Sequence, residues 1–218
     1  MALHPLKTRA PYLKGYGFTP DTVFDVGVAD GTPWLYRSFP DADFVLIDPL
    51  PGAEASVRAR GHIEHFDFFS AALGAEETRA VLTVPHSDKG REGAMASLLQ
   101  RTDQMAERKS FADEVEVPIV PLDDIAQDYL GSVGLKIDTE GYEFEILKGA
   151  PDTLERCEFV ILEMSVTPRF EGVSLPSETV ALLADAGLQL RDVLHVGAGA
   201  GKKARPRYFD ILFARWPQ

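Results

Sequence analysis

Short β-branched and aromatic runs alternate with polar, turn-rich stretches along most of the chain. Val23-Phe24-Asp25-Val26 and the run 43–48 come first, each bounded by turn residues, as strands covered on both faces are. Between them Thr32 is placed to cap a helix. Pro33 follows at the first helical position, where its missing amide has no helical acceptor anyway, and Leu35 and Phe39 share a face. Further apolar runs lie at 63–69, 80–84, 115–120, 133–138 and 159–164, the last being the most apolar. Helices are expected over 98–108, 123–130, 143–148 with Gly149 closing it, and 177–186 stopped by Gly187. Residues 188–196 and 208–215 flank a glycine- and lysine-rich loop and read as an antiparallel hairpin. The alternation predicts an α/β fold with a mostly parallel, doubly wound sheet and an antiparallel C-terminal edge strand. Residues 1–21, with Pro5, Pro11, Gly15, Gly17 and Pro20, read as a lead-in segment, and residues 22–218 as one domain.

Two stretches carry chemistry. The first strand runs into Asp25-Val26-Gly27-Val28-Ala29-Asp30-Gly31 and then a helix. Small residues let backbone approach a ligand, a helix start offers free amides, and ligands of open α/β sheets sit beyond the C-terminal strand ends. The loop therefore reads as a nucleotide-type site; the alternative is a tight strand–helix turn with no ligand. The dinucleotide fingerprint is not met, because its second and third glycine positions, counted from Gly27, hold Ala29 and Thr32. What stands is acid-x-Gly-x-small-x-Gly, the form of S-adenosylmethionine (SAM) sites. Asp48 ends the second strand about 20 residues on, placed to accept hydrogen bonds from ribose hydroxyls. In the second stretch Lys136 and Asp138 alternate with Leu135 and Ile137 and so share one strand face. Charges in a central strand are costly unless they line a site; the alternative is an ion pair that merely closes the strand.

On these residues the chain resembles the FkbM-type methyltransferases, a SAM-dependent family of class I Rossmann-like fold. The resemblance spans residues 13–215. Phe24-Asp25-Val26-Gly27 resembles the family's first loop, and Asp48-Pro49 its acid-Pro end of strand two. Ala71-Ala72-Leu73-Gly74 resembles the segment near the adenine, and Leu122-Asp123-Asp124 the stretch before strand four. Residues 135–150 match the hallmark Lys-Ile-Asp-x-Glu-Gly-x-Glu-x-x-Leu-Lys-Gly-Ala, Ile161-Leu162-Glu163-Met164 strand five, and residues 209–213 the last strand. The resemblance implies SAM as cofactor, held by Asp25, Gly27, Val28, Ala29, Asp30, Gly31, Asp48, Pro49, Ala71 and Ala72. One departure stands out. Many members have Ala-Asn-x-Gly in the first loop, where this chain has Val28-Ala29-Asp30-Gly31; both glycines remain, and Asp30 adds a carboxylate that can face the cofactor's ammonium.

Methyl transfer from a sulfonium is an in-line displacement, so alignment supplies much of the rate. A hydroxyl acceptor also needs its proton taken by a base, or its pKa lowered by a metal. Asp138 is the first candidate base, with Lys136, Glu140 and Glu163 as its surround. Asp138, Glu140 and Glu163 are also oxygen donors of the kind that hold Mg²⁺. His195 is the spare base; His62, His65 and His86 lack metal-ligand spacing. The run 197–203 imitates a phosphate loop, but Val196 and Lys203 stand where a glycine and a hydroxyl residue are needed. Residues 87–97 read as a loop or a lid over the acceptor. Trp34 reads as core rather than cofactor stacking.

Composition then narrows the partners. The formal net charge is −12, which disfavours a nucleic-acid partner and suits a neutral or cationic small molecule. No apolar run approaches the roughly 18 residues of a membrane span, and the first residues carry no apolar signal core. Cys157 is the single cysteine, as in a reducing, cytoplasmic setting, and reads as buried and inert. The leading expectation is O-methylation of a hydroxyl on a small molecule, sugar or secondary metabolite. A nicotinamide-dependent oxidoreductase and a non-catalytic SAM-binding partner subunit are the competing readings, and a homo-oligomer is left open.

Overall fold

The computed structural model describes residues 9–87, 90–91, 93–102, 112–198 and 205–216. Its main sheet has seven strands. In chain order they are β1 (Thr22–Val26), β2 (Asp43–Ile47), β3 (Asp67–Phe69), β8 (Val133–Ile137), β9 (Cys157–Ser165), β10 (Leu188–Ala198) and β11 (Pro206–Arg215). The spatial order is β10-β11-β9-β8-β1-β2-β3. Strands β3, β2, β1, β8 and β9 run parallel, and β11 is antiparallel to both β9 and β10. The expected C-terminal hairpin thus forms one side of the sheet, with β11 inserted and β10 outermost. This is the doubly wound, mostly parallel α/β arrangement that the sequence pattern predicts.

Strand alternation sends side chains to two helical layers. Val23, Phe44, Leu46, Phe159, Ile161 and Leu212 pack under α1 (Ala10–Lys14), α2 (Pro33–Ser38) and α3 (Ala53–Arg60). Phe24, Val45, Ile47, Leu135, Val160 and Leu162 face the other way, onto α4 (Leu122–Ala126), α5 (Glu143–Lys148), α6 (Pro151–Arg156) and α7 (Pro176–Asp185). The lead-in segment belongs to the first layer: Leu13 is fully buried, and Tyr12 and Tyr16 donate hydrogen bonds to Asp192 on β10. Cys157 is buried as expected, and burial pushes its thiol up to about 12.

Several local expectations change. The runs 80–84 and 115–120 do not enter the main sheet. They belong to a second sheet, β4 (Ala72–Leu73), β7 (Ala112–Val120), β5 (Thr78–Ser87) and β6 (Gly90–Arg91) in spatial order. Its apolar face, with Leu82, Val84, Val117 and Ile119, packs on Leu50, Leu98 and Tyr142 beside the loops that end β1, β2 and β8. No helix forms over residues 98–102, because backbone partners from elsewhere claim them. Arg101 bridges Phe170, and Thr102 donates its N–H to the Arg169 carbonyl; residues 103–108 lie outside the described residues. The helix expected over 123–130 stops at Ala126, and the strand expected over 63–69 is confined to its last three residues. Thr32 occupies the N-cap position of α2 without a side-chain cap bond. Residues 199–203 of the glycine-lysine loop, and 88, 89 and 92 of the expected lid, also lie outside the described residues.

Candidate active site

The C-terminal ends of β1, β2 and β8 meet at one pocket that is partly open to solvent. One wall is the turn after β1. Gly27 has φ 75°, and a Cβ there would lie 1.9 Å from the Asp138 carbonyl oxygen, so only glycine lets the β1 and β8 loops touch. Ala29 follows with φ 48° and Glu140 on the opposite wall has φ 55°; they are the non-glycine residues of positive φ among the described residues. Such conformations cost about 1–3 kcal/mol each and concentrate at functional sites.

Asp48 closes β2 beneath the pocket. It is 4% exposed; Oδ2 accepts the Ala29 N–H at 2.9 Å and Oδ1 the Leu50 N–H at 2.8 Å. Burial raises its pKa against the pull of those amides. A carboxylate has about four acceptor positions, so one placed here can shape two loops and still receive a ligand hydroxyl. Pro49, Ala71 and Ala72 line the same pocket, as do Gly27 and Ala29. Leu82 of the second sheet roofs it together with Ala96 and Leu98 of the segment that follows β6. Part of the stretch read as a lid is therefore pocket wall, fastened by the Thr83–Ser97 backbone bridge and the 2.7 Å bond from the Ser97 hydroxyl to the Glu140 carbonyl.

The other residues named for the cofactor lie elsewhere. Asp25 is fully buried under the loop, where Oδ2 accepts the Tyr36 hydroxyl at 2.8 Å and Oδ1 stands 3.3 Å from Lys136 Nζ. Val28 is packed in the core beside α2. Asp30 turns outward, accepting the Ser56 hydroxyl at 2.7 Å and pairing with Arg60 on α3. Gly31, φ 97°, sits against the Tyr36 ring. Trp34 packs with the core around α2.

Beside the pocket a charged row crosses one sheet face. Register sets Asp25 opposite Lys136, and Asp210 opposite both Glu163 and His195. Strands β8 and β9 are adjacent, so Asp138 and Glu163 end neighbouring strands as the sequence reading required. Lys136 Nζ is 3.6 Å from Asp138 Oδ2. Burial works to lower the Lys136 pKa, but Asp25 and Asp138 outweigh it and the net shift is upward. Glu140 is bonded by Arg101 and Arg169, both at 2.6 Å, and Glu163 by Arg169 at 2.6 Å. Burial raises both carboxylates, with Asp138 pushing the same way and the guanidiniums opposing. These acids are only 14% and 11% exposed, whereas Asp138 is 42% exposed. Asp138 is thus the most open of these three carboxylates. His195 Nδ1 stands 3.6 Å from Asp210 Oδ2. The Asp138, Glu140 and Glu163 donors do not fit a divalent ion: two of them are committed to arginines, and no cluster of three or more metal-ligand residues is formed among the described residues.

Arg101, Arg169 and Asp210 were not foreseen. Asp210 carried the same signal as Lys136, a lone charge inside an apolar strand. Arg101 and Arg169 stand in irregular segments whose long-range partners no local pattern announces.

The family described as methyltransferase FkbM domain matches the chain over residues 25–190. The chain belongs to this family. The match takes in the β1 loop, Asp48, the roof and the Lys136–Asp138 strand, so the pocket and its charged border lie within the methyltransferase domain. No curated protein sequence matches the chain. Solved structures are similar to it in fold. Magnesium protoporphyrin IX methyltransferase from Synechocystis PCC 6803 with bound SAM is 10% identical, with a TM-score of 0.49 over 95% of this chain and 76% of its own. The N-methyltransferase NodS from Bradyrhizobium japonicum WM9 is also 10% identical, with a TM-score of 0.49 over 96% of this chain and 93% of its own. Likeness at that level says nothing about the acceptor. Among the described residues no helix is long and apolar enough to cross a membrane.

Proposed function

We propose that this FkbM-family domain transfers the methyl group of SAM to a hydroxyl of a small, uncharged acceptor such as a sugar or secondary metabolite. The observation that carries this reading is the junction of two unlike surfaces at Asp138. On one side lies an apolar pocket with Asp48 at its floor; on the other, a charged row with one reachable carboxylate. The donor pocket suits SAM in three respects. Leu50, Leu73, Leu82 and Leu98 offer apolar walls for an adenine, Asp48 keeps acceptor capacity for ribose hydroxyls, and the surrounding carboxylates favour a cationic sulfur. We assign Gly27, Ala29, Asp48, Pro49, Ala71 and Ala72 to this side, with Thr139 and Tyr142 added.

When bound, SAM supplies an electrophilic methyl group on a sulfonium. The chain's own part is to orient and to take a proton. Asp138 Oδ atoms accept the acceptor's O–H and, as the oxygen gains its methyl group, receive the proton. Lys136 holds Asp138 from the buried side. Glu140 and Glu163, locked by Arg101 and Arg169, keep the border of the site rigid and supply hydrogen-bond acceptors, not metal ligands. Asp25 and Asp30 act on the fold, through Tyr36 and Arg60. The acidity around Asp138 and Asp210 argues against phosphorylated or carboxylated acceptors and against nucleic acid. The lone buried cysteine supports a reducing, cytoplasmic setting.

The test is a mass-spectrometric screen for a methyl gain across hydroxylated metabolites and neutral glycans, with SAM as donor. Methylation confined to amines, or to phosphorylated acceptors, contradicts the hydroxyl reading.

A further inference from the structure

Glu143 has no part in the steps above, yet it is a buried carboxylate, 6% exposed, at the first position of α5. One of its oxygens is the hub of the loop after β8. Oε1 accepts the Thr139 N–H at 3.1 Å, the Gly141 N–H at 3.0 Å and the Thr139 hydroxyl at 3.3 Å. Between those two amides stands Glu140, left-handed at φ 55°, and Gly141 follows at φ 105° against the Phe170 ring. A left-handed glutamate followed at once by a second positive-φ residue is a sparsely populated backbone, kept only when its surroundings fix it. Glu143 is the side chain that bonds the amides on both sides of that kink.

The same loop gives the pocket Asp138, Thr139, Glu140 and Tyr142, and its Asp138 carbonyl is what Gly27 packs against. Burial pushes the Glu143 carboxyl up to about 7, against the pull of the Gly141 and Thr139 amides. Unpartnered buried carboxylates are strongly disfavoured, and a residue wanted only for volume would be apolar. We infer that Glu143 is the positioning residue of the active site: its oxygen holds residues 138–141 in the kinked form that closes the donor pocket and presents Asp138 to the acceptor. The inference rests on the SAM reading, through the loop's place in the donor pocket.

S-adenosylhomocysteine (SAH), the demethylated product, is the probe, because its binding requires no acceptor. Calorimetric SAH affinity and thermal melting are measured for the wild type, Glu143→Gln, Glu143→Leu and Glu143→Asp. Glutamine still presents an oxygen where Oε1 stands, so its affinity is expected within about threefold of wild type. Leucine fills the space with no acceptor, and aspartate draws the carboxylate back by about one bond length. Both are expected to melt cooperatively and to bind SAH at least about tenfold more weakly, the worth of a lost hydrogen-bond hub. A folded leucine or aspartate variant with wild-type affinity overturns the inference. So does failure of both variants to fold, which would make Glu143 a residue of the fold alone. If the wild type itself binds no SAH, the donor reading has failed instead, and the two failures are told apart by that single titration.

Discussion

The two halves of the site solve opposite problems. The donor pocket is apolar and shaped by backbone: a glycine in contact with a carbonyl, a left-handed alanine, and one aspartate whose oxygens tie two loops. The acceptor row is polar and shaped by side-chain charge: Lys136 between two aspartates, and Arg101 and Arg169 clamping Glu140 and Glu163. A pocket of the first kind recognises a ligand by shape and tolerates little change of backbone. A row of the second kind chooses among acceptors by charge and proton affinity. On the proposed function, the contrast puts donor recognition in the backbone of the loops and acceptor choice in the charges beside them.

The contrast can be broken first at Asp138. Asp138→Asn keeps the shape and removes the proton acceptor. Turnover is expected to fall about 10²–10⁴-fold with SAH affinity nearly unchanged, read by steady-state kinetics beside calorimetry. Equal losses in both would place Asp138 in the donor half. On the donor side, Gly27→Ala sets a methyl group against the Asp138 carbonyl. Strain on the order of 3 kcal/mol predicts a loss of about a hundredfold in SAH affinity, together with a lower melting temperature.

Asp48→Ala should weaken SAH binding by about 1.5–3 kcal/mol, the range for hydrogen bonds to a charged group. Since Asp48 also holds the Ala29 and Leu50 amides, melting is measured in parallel to separate loop from ligand. Smallest for binding is Tyr36→Phe. It removes the hydroxyl on buried Asp25 and is expected to cost about 1–3 kcal/mol of stability, read from the urea midpoint, while leaving SAH affinity unchanged. A matching loss of affinity would return Asp25 to the donor site, where the sequence pattern alone had set it.

That last case shows where sequence pattern stops. The strand–loop–helix at residues 22–38 and the acid ending β2 are local signals, carried by strand period and turn chemistry, and they located the pocket. Asp25 and Lys136 were both legible as charges in central strands. Their partnership was not, because parallel pairing of β1 with β8 joins residues more than a hundred positions apart. The second sheet escaped for the same reason. Its strands are ordinary apolar runs, and only tertiary pairing sends them to the roof instead of the main sheet. Asp30 illustrates a different limit: the sequence shows a carboxylate in the loop, but not that α3 supplies Ser56 and Arg60 as its partners. Local pattern finds the loops, and long-range pairing decides which of their side chains face the ligand.

The pocket between the β1 and β8 loops is the proposed methyl-donor site, and a calorimetric titration with SAH is its decisive test. Saturable binding at one site per chain is expected, competed by SAM, unaffected by NAD or NADP, and weakened by Asp48→Ala. Absence of SAH binding by the folded protein, or saturable NAD binding that SAM displaces, would contradict it.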